Sequence, residues 1–489
     1  MFSPRYLHMQ SRIYVSSKNF NSSFSTSSRP IAKFDVSNGK DSDSQTSELN
    51  PKGKHLGVFS HSTVKLPEQL KKAVDKILSS CTDTNLSQNA EILKNHLIFK
   101  KPPLTETKLQ EIKVRFTEKL SAAHPSPDIL FLSAEDEKKI QNTLKSKIQK
   151  VVSQNTYRWK PVIYNEAVAL TYLVARIAPE YATLYQIFQE ICSRDQNFQP
   201  QTLFDFGSGI GSALWSAKSC WGDKKFKEVF CVDSSVDMNN LALALIQGGV
   251  WPNKASDFNP IDLDEKEFSS TIKGLYFRQF MPASSAVKYD LVVCAHSLLE
   301  LPSAELRLQI ALSLWRKSQG YLVFVEHGSR AAFEVIMEVR DFLLSLSEGN
   351  KESNLQGYVF APCPNKTRCP RLAETTPCNF EVKYEPLQIN QRIQKERYSY
   401  LVLKKGQRPD EDLQWPRVVR PVLVRSGHVI CRLCTQEGKL EEIVITRAKN
   451  SKLENLMARR TKWGDLLPVQ LSRPDTTELE CTLEDEKNL

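Results

Sequence analysis

Apolar residues recur at helical spacing from Leu66 to about Leu120: Leu70, Val74 and Ile77–Leu78 in PEQLKKAVDKIL, then Ile92, Leu93, Leu97 and Ile98. Lys100-Lys101-Pro102-Pro103 interrupts the pattern before TKLQEIKVRFTEKL resumes it. Between 164 and 192, Ala167, Leu170, Leu173 and Val174 share one face, and Pro179 predicts a junction between two helices. At Thr202 the period shortens. TLFDF, EVFCVD, YDLVVCAHS and GYLVFVEHG read as apolar strands separated by helix-compatible stretches such as SAELRLQIALSLWRK. That alternation predicts an α/β fold, a parallel sheet with helices on both faces. NFEVKY (379–384) and RYSYLVL (397–403) predict an antiparallel pair that closes the sheet.

A chain of 489 residues exceeds one compact core, and 40% hydrophobic with 25% charged residues excludes wholesale disorder. No apolar run approaches the length that crosses a membrane. The net charge of +10 favours an anionic partner. Met1 to Phe34 holds no acidic residue, but has Arg5, Arg12, Lys18, Arg29 and Lys33 among nine serines. This is the composition of a mitochondrial transit peptide, which the membrane potential draws inward, and it predicts a matrix location. Ile13–Val15 is too short for the apolar core of a secretory signal. The expected organisation is transit peptide 1–34, linker 35–64, helical region 65–200, sheet domain 201–406 with a cysteine insertion, basic C-terminal domain 407–470 and acidic tail 471–489.

Asp205 precedes Gly207-x-Gly209-x-Gly211, where a strand gives way to a helix and side chains would keep a ligand off the backbone. Asp233, at the tip of the next strand, is placed to accept hydrogen bonds from a ribose diol. The spacing G-x-G-x-G disfavours a dinucleotide-dependent dehydrogenase. Together these residues resemble the class I S-adenosylmethionine-dependent methyltransferases. That resemblance implies a Rossmann-like sheet and cofactor binding by Asp205, Gly207, Gly209, Gly211 and Asp233. CAHSLLELPS (294–303) lacks the Asn/Asp-Pro-Pro-aromatic motif of enzymes that methylate exocyclic base nitrogens. His296 and Glu300 are the acid–base candidates there, and no catalytic residue is assigned.

Cys363, Cys369, Cys378, Cys431 and Cys434 cluster, whereas the other six of the eleven cysteines are scattered. An odd count with this clustering argues for a metal rather than disulfides. Only Cys431-x-x-Cys434 has the spacing usual for zinc. The wider intervals and the Cys-Pro steps lean toward an iron–sulfur cluster, with zinc the alternative. From Lys383 to Cys434, eleven Lys/Arg stand against five Asp/Glu, and Arg417, Arg420 and Arg425 beside Trp415 suit phosphate contacts.

Taken in order, Y-N-E-A-x-A-x-x-Y-L-x-x-R (164–176), DFGSGIG, AHSLLELP, LVFVEHG, CP-x4-CP, WPRVVRPVLVRSGHV-x-x-x-L-C (415–434) and WGDLLP (463–468) resemble the mitochondrial methyltransferase-like protein 17 family. The resemblance implies a small-subunit assembly factor bound to rRNA and ribosomal proteins at the head–body interface, monomeric elsewhere and independent of membranes. It implies a [4Fe-4S] cluster on Cys363, Cys369, Cys378 and Cys434, with Cys431 competing for the last place. It also implies S-adenosylmethionine binding with methyl transfer lost. The competing expectation is an active rRNA methyltransferase of the small subunit.

Overall fold

A computed structural model describes residues 31–34 and 55–472, apart from 105, 124–133, 223–224, 251–273, 285, 350–354, 388–391, 410–411 and 413. Most of the transit-peptide and linker segments and the acidic tail lie outside these residues, as does Cys481. Phe34–Gln470 form one compact unit. The helices are α1 Glu68–Ser79, α2 Leu86–Ile98, α3 Glu106–Ala123, α4 Ala134–Trp159, α5 Glu166–Arg194, α6 Ser212–Trp221, α7 Val236–Ile246, α8 Ala304–Lys317, α9 Arg330–Gly349 and α10 Lys452–Arg460. The strands begin with β1 Ile31–Phe34, β2 Thr202–Phe206, β3 Glu228–Val232, β4 Leu275–Arg278, β5 Tyr289–Ala295, β6 Ser318–His327 and β7 Gly357–Ala361. They continue with β8 Phe380–Tyr384, β9 Gln394–Lys405, β10 Arg417–Val418, β11 Leu423–Val424, β12 His428–Cys434, β13 Leu440–Thr446 and β14 Val469–Ser472.

The main sheet has the order β4-β3-β2-β5-β6-β9-β7, with β8 also paired to β9. Strands β4 to β6 in this order run parallel, and β9 enters antiparallel beside β6. This is the class I methyltransferase arrangement, a parallel half closed by antiparallel strands. One face packs on α1, α5, α6 and α7, the other on α8 and α9. Burial on both sides explains why β5 and β6 read as continuous apolar runs rather than alternating ones. Strands β4 and β7 escape the sequence reading because each is short, and β4 lies on an edge with alternate residues exposed.

Strands β7 and β8 lie along the same edge of β9. Ala361 pairs with Val402 and Phe380 with Tyr398. The cysteine loop between them is therefore an excursion from one interrupted edge. A second sheet of β10, β11, β12 and β13 follows, built around β12.

Three expectations change. Helix α5 runs unbroken through Pro179, where two helices were expected. A proline inside a helix loses one hydrogen bond and costs about 3 kcal/mol. Burial of Thr171–Leu184 among neighbouring elements, nearly all around the helix, outweighs that loss. Ile92, expected on an apolar face, is 60% exposed. Residues 55–64, read as the end of a linker, are tied down at long range. Phe59 and Ser60 donate backbone N–H groups to Asp465 at 3.0 Å, and His55 bonds Thr461 at 2.8 Å.

The end of α5 carries the most consequential ion pair. Arg417 is 1% exposed and donates to both oxygens of Glu190, at 2.6 and 3.1 Å, and to the carbonyls of Pro362 and Gly464. Burial pushes the Glu190 carboxyl up, but Arg417 and Arg194 outweigh it and hold it below its ordinary value. The predicted phosphate-contact residue Arg417 is thus internal, with four of its five N–H donors taken inside the protein. Removing one partner of such a pair strands a buried charge, at about 3–5 kcal/mol. We expect R417M to lower unfolding free energy by about that much in denaturant titrations. A loss below about 1 kcal/mol, typical of an exposed pair, would contradict this assignment.

Candidate functional site

The glycine loop lies between β2 and α6. Its three glycines have φ of +68°, +52° and +82°, a region that side chains disfavour. At Gly207 there is also no room: a Cβ would stand 2.0 Å from Ser297 Oγ at the end of β5. Gly207 and Ser208 donate N–H groups to Val232 O at 2.7 and 3.0 Å, which ties the loop to β3.

Asp233 sits at the tip of β3 as expected. Its Oδ2 accepts from Gly209 N and its Oδ1 from Ser235 N, both at 2.9 Å, so it braces the loop. Each oxygen keeps a lone pair for a further donor. Asp205 is 2% exposed and its Oδ2 has no hydrogen-bond partner. Burial lifts its carboxyl to about 8, and the charges of Asp233 and Glu180 add to the effect. The loop thus presents backbone without side chains beside a carboxyl that lacks a donor. A cationic, ammonium-bearing ligand fits this arrangement.

Helix α5 supplies residues that the sequence reading left without roles. Asn165 caps it by accepting from Val168 N at 3.0 Å. Glu180 accepts from Tyr172 OH, Arg176 Nε and, at 3.0 Å, Ser212 Oγ. Arg176 is fully buried and reaches Glu396 on β9 at 3.0 Å. Tyr172 and Arg176 were visible as motif letters, but their partners lie up to 220 positions away.

His296 follows β5 with φ +56°, a strained conformation for a non-glycine residue. Neither ring nitrogen has a hydrogen-bond partner, and the ring packs on His327 at 4.6 Å. Burial first, then His327 and Arg176, push its pKa well below the ordinary histidine value, so it stays neutral. Glu300 pairs with Lys100, a buried residue just beyond α2. Glu326, 1% exposed, accepts from Leu298 N and Leu299 N, and burial lifts it to about 8.

Cys363 and Cys369 belong to the excursion between β7 and β8, Cys378 stands just before β8, and Cys434 ends β12. Burial raises Cys369 and Cys434 to about 12 and Cys378 well above its ordinary value. In each case the other cysteines add to the rise: Cys363 acts on all three, Cys369 on Cys378 and Cys434, and Cys434 on Cys378. Cys363, Cys369 and Cys378 border one apolar cluster, and Asn365 of the same loop donates to Cys434 Sγ at 3.9 Å. Cys431 is outside the group: only burial raises it, because positions three apart on a strand face opposite sides. Among the described residues, no three Cys, His, Asp or Glu side chains are arranged to hold a single metal ion. Cys363, Cys369 and Cys434 are buried and Cys378 is half-buried, a set of thiols that would suit a cation or polynuclear cluster able to displace their protons.

Arg420 is half-buried, donating to Pro377 O and Thr376, whereas Arg425 is exposed. No helix among the described residues is long and apolar enough to cross a membrane.

The profile of the mitochondrial small ribosomal subunit Rsm22 family matches residues 166–468. The chain belongs to this family. It is 34% identical over 424 residues to human ribosome assembly protein METTL17, mitochondrial, covering 86% of this chain and 87% of that protein. Ribosome assembly protein RSM22, mitochondrial, of Saccharomyces cerevisiae is 20% identical over 412 residues, covering 58% and 64%. These Rsm22 relatives are named mitochondrial, and the chain is mitochondrial with them. Among solved structures, magnesium protoporphyrin IX methyltransferase from Synechocystis, with bound S-adenosylmethionine, aligns at 13% identity and a TM-score of 0.29. It covers 54% of this chain and 96% of that one. A methyltransferase from Aquifex aeolicus aligns at 12% and 0.29, covering 50% and 100%. The fold assignment for this Rsm22 member rests on its own strand order.

Asp205 keeps its proton in the folded chain up to about pH 8, but loses it near 3.8 when unfolded. Between those values the folded state binds more protons, so this group's contribution to stability falls as pH rises, by about 1.4 kcal/mol per unit. We expect ligand-free D205N to lose stability less steeply than wild type between pH 5 and 8. Equal slopes would mean that Asp205 is not the buried acid described.

Proposed function

We propose that this Rsm22-family chain is a mitochondrial ribosome assembly factor that binds rRNA and ribosomal proteins of the small subunit. In this reading it has an S-adenosylmethionine-binding, non-catalytic methyltransferase fold and a four-cysteine [4Fe-4S] centre. It works in the matrix, as a monomer when off the ribosome and without a membrane partner. The names of the human and yeast relatives support the assembly role.

The observation that carries the non-catalytic reading is the state of the edge beyond β5. A methyl acceptor in such a sheet would lie beside His296 and Glu300. His296 is half-buried and neutral, and its enclosed ring nitrogens have no hydrogen-bond partner. Glu300 is held by Lys100, so the chain's own helical region occupies the approach. General-base chemistry needs a group within reach of the acceptor proton; Glu300 is tied to Lys100, and the His296 ring nitrogens are enclosed away from the surface. An active rRNA methyltransferase is the second reading, favoured by the intact glycine loop.

S-adenosylmethionine would be held by the backbone of Gly207–Gly211, with Asp205 facing its ammonium group and Asp233 its ribose. When bound, it supplies an electrophilic methyl group. Cys363, Cys369, Cys378 and Cys434 would hold the iron centre. Part of its binding energy would fasten the segment carrying Cys434 to the sheet. RNA would meet exposed basic groups such as Arg425, and its affinity would fall steeply with salt.

The test is rescue of cells that lack the protein, reading mature small subunits and mitochondrial translation. A D233A/G209R variant that accumulates normally should rescue, whereas C369S should lose bound iron and solubility together and fail. A stable pocket variant that binds the subunit yet fails, together with loss of one rRNA methyl group, would establish the enzymatic reading instead.

A further inference from the structure

Arg340 lies on α9 against the cysteine loop and is fully buried. Its Nη2 donates to the carbonyls of Asn365 at 3.2 Å and Thr367 at 2.9 Å, both between Cys363 and Cys369. Its Nη1 donates to Asp341 at 2.7 Å, but that carboxylate is 42% exposed and largely screened by water. Its Nε is buried and has no hydrogen-bond partner. A guanidinium taken out of water is costly unless an anion faces it, and an orphaned buried N–H is rare in a native fold. Burial pulls Arg340 down, but Cys363, Asp341 and Cys369 outweigh it. Arg340 also acts on Cys434 across the junction.

We propose that Arg340 is the buried counter-cation and sulfur hydrogen-bond donor of the four-cysteine centre, and that it also shapes the loop through its Nη atoms. This rests on the four-cysteine reading above. Four thiolates around either Zn²⁺ or a [4Fe-4S]²⁺ core leave a net charge of −2, which a buried site must compensate. Arg417 stands near Cys363, but its charge is committed to Glu190. Arg340 is the fully buried cation whose internal anionic partners are the thiolates themselves. Its Nε–H needs an acceptor, and the sulfurs of a loaded centre provide one. Charge and hydrogen bonds at the sulfurs set the potential of an iron–sulfur centre, so Arg340 is a positioning and tuning residue.

The experiment uses the full chain purified anaerobically as wild type, R340Q and R340K, with iron, sulfide and zinc quantified. We expect R340Q to surrender its metal to a chelator at least tenfold faster than wild type. Its gap in melting temperature between metal-loaded and metal-free protein should narrow. With iron bound, its midpoint potential should become more negative, because a cation that stabilises the reduced centre is gone. R340K keeps the charge, so its potential should stay near wild type while metal loss quickens through the missing fork. If R340Q does not fold, R340K carries the test alone. Unchanged retention and an unchanged melting gap in the variants that fold would overturn the proposal, since a purely structural arginine would weaken both forms equally. A wild-type protein that holds neither iron nor zinc would overturn the four-cysteine reading itself, and this inference with it.

Discussion

The Glu190–Arg417 pair joins three parts of the chain that nothing local would hold together. Glu190 ends the long central helix α5, Tyr400 of β9 donates to the same carboxylate at 3.0 Å, and Arg417 opens the C-terminal sheet. Two further contacts give the pair its reach. Arg417 Nε bonds the carbonyl of Pro362, next to Cys363, and Arg417 is the register partner of Cys434. One guanidinium therefore sets the distance between the cysteine loop and the strand that brings the fourth cysteine. A buried ion pair is weak evidence of net stability, because desolvation offsets most of its attraction. What it supplies here is geometric specificity, since both charges are satisfied with the C-terminal segment in this position.

Helix α5 thereby serves two sites at once. Its first half, through Arg176 and Glu180, braces the glycine loop and β9. Its second half anchors the cysteine side through Glu190 and Arg194. That division explains why the helix tolerates Pro179 near its middle: every turn around it is packed, so the missing hydrogen bond is a local loss in a buried frame. The loop, Asp205 and Asp233 belong to the frame, whereas beyond β5 Lys100 pairs with Glu300 and the His296 ring nitrogens are enclosed without a hydrogen-bond partner.

The sequence reading succeeded where chemistry and local pattern coincide. The glycine loop was legible because positive φ and the close approach of Ser297 leave glycine no substitute at Gly207. Four of the five parallel strands were legible because burial on both faces makes them largely apolar. It failed where the deciding partner is remote. Arg417 looked like a phosphate ligand, since an arginine beside tryptophan reads the same whether Glu190 is 227 positions away or absent. Residues 55–64 looked like a tether because Asp465, which orders them, lies some 400 positions on.

Composition, period and spacing alone thus determined the α/β class, the mitochondrial address, the glycine loop and a set of five clustered cysteines. Each follows from residue type acting on its own neighbourhood: charge in a membrane field, side-chain volume at a tight turn, thiols in a reducing compartment. The tertiary structure decided which cysteine of β12 faces the loop. Strand β12 has a two-residue period, so Cys434 faces the loop and Cys431 faces away, and only the register with Arg417 fixes which side is which. It decided equally that His296 is neutral with neither ring nitrogen hydrogen-bonded, and that Arg340 lies against the loop with an unpaired N–H. Those outcomes depend on long-range packing and on the loss of water around a charge, which no local run of residues encodes.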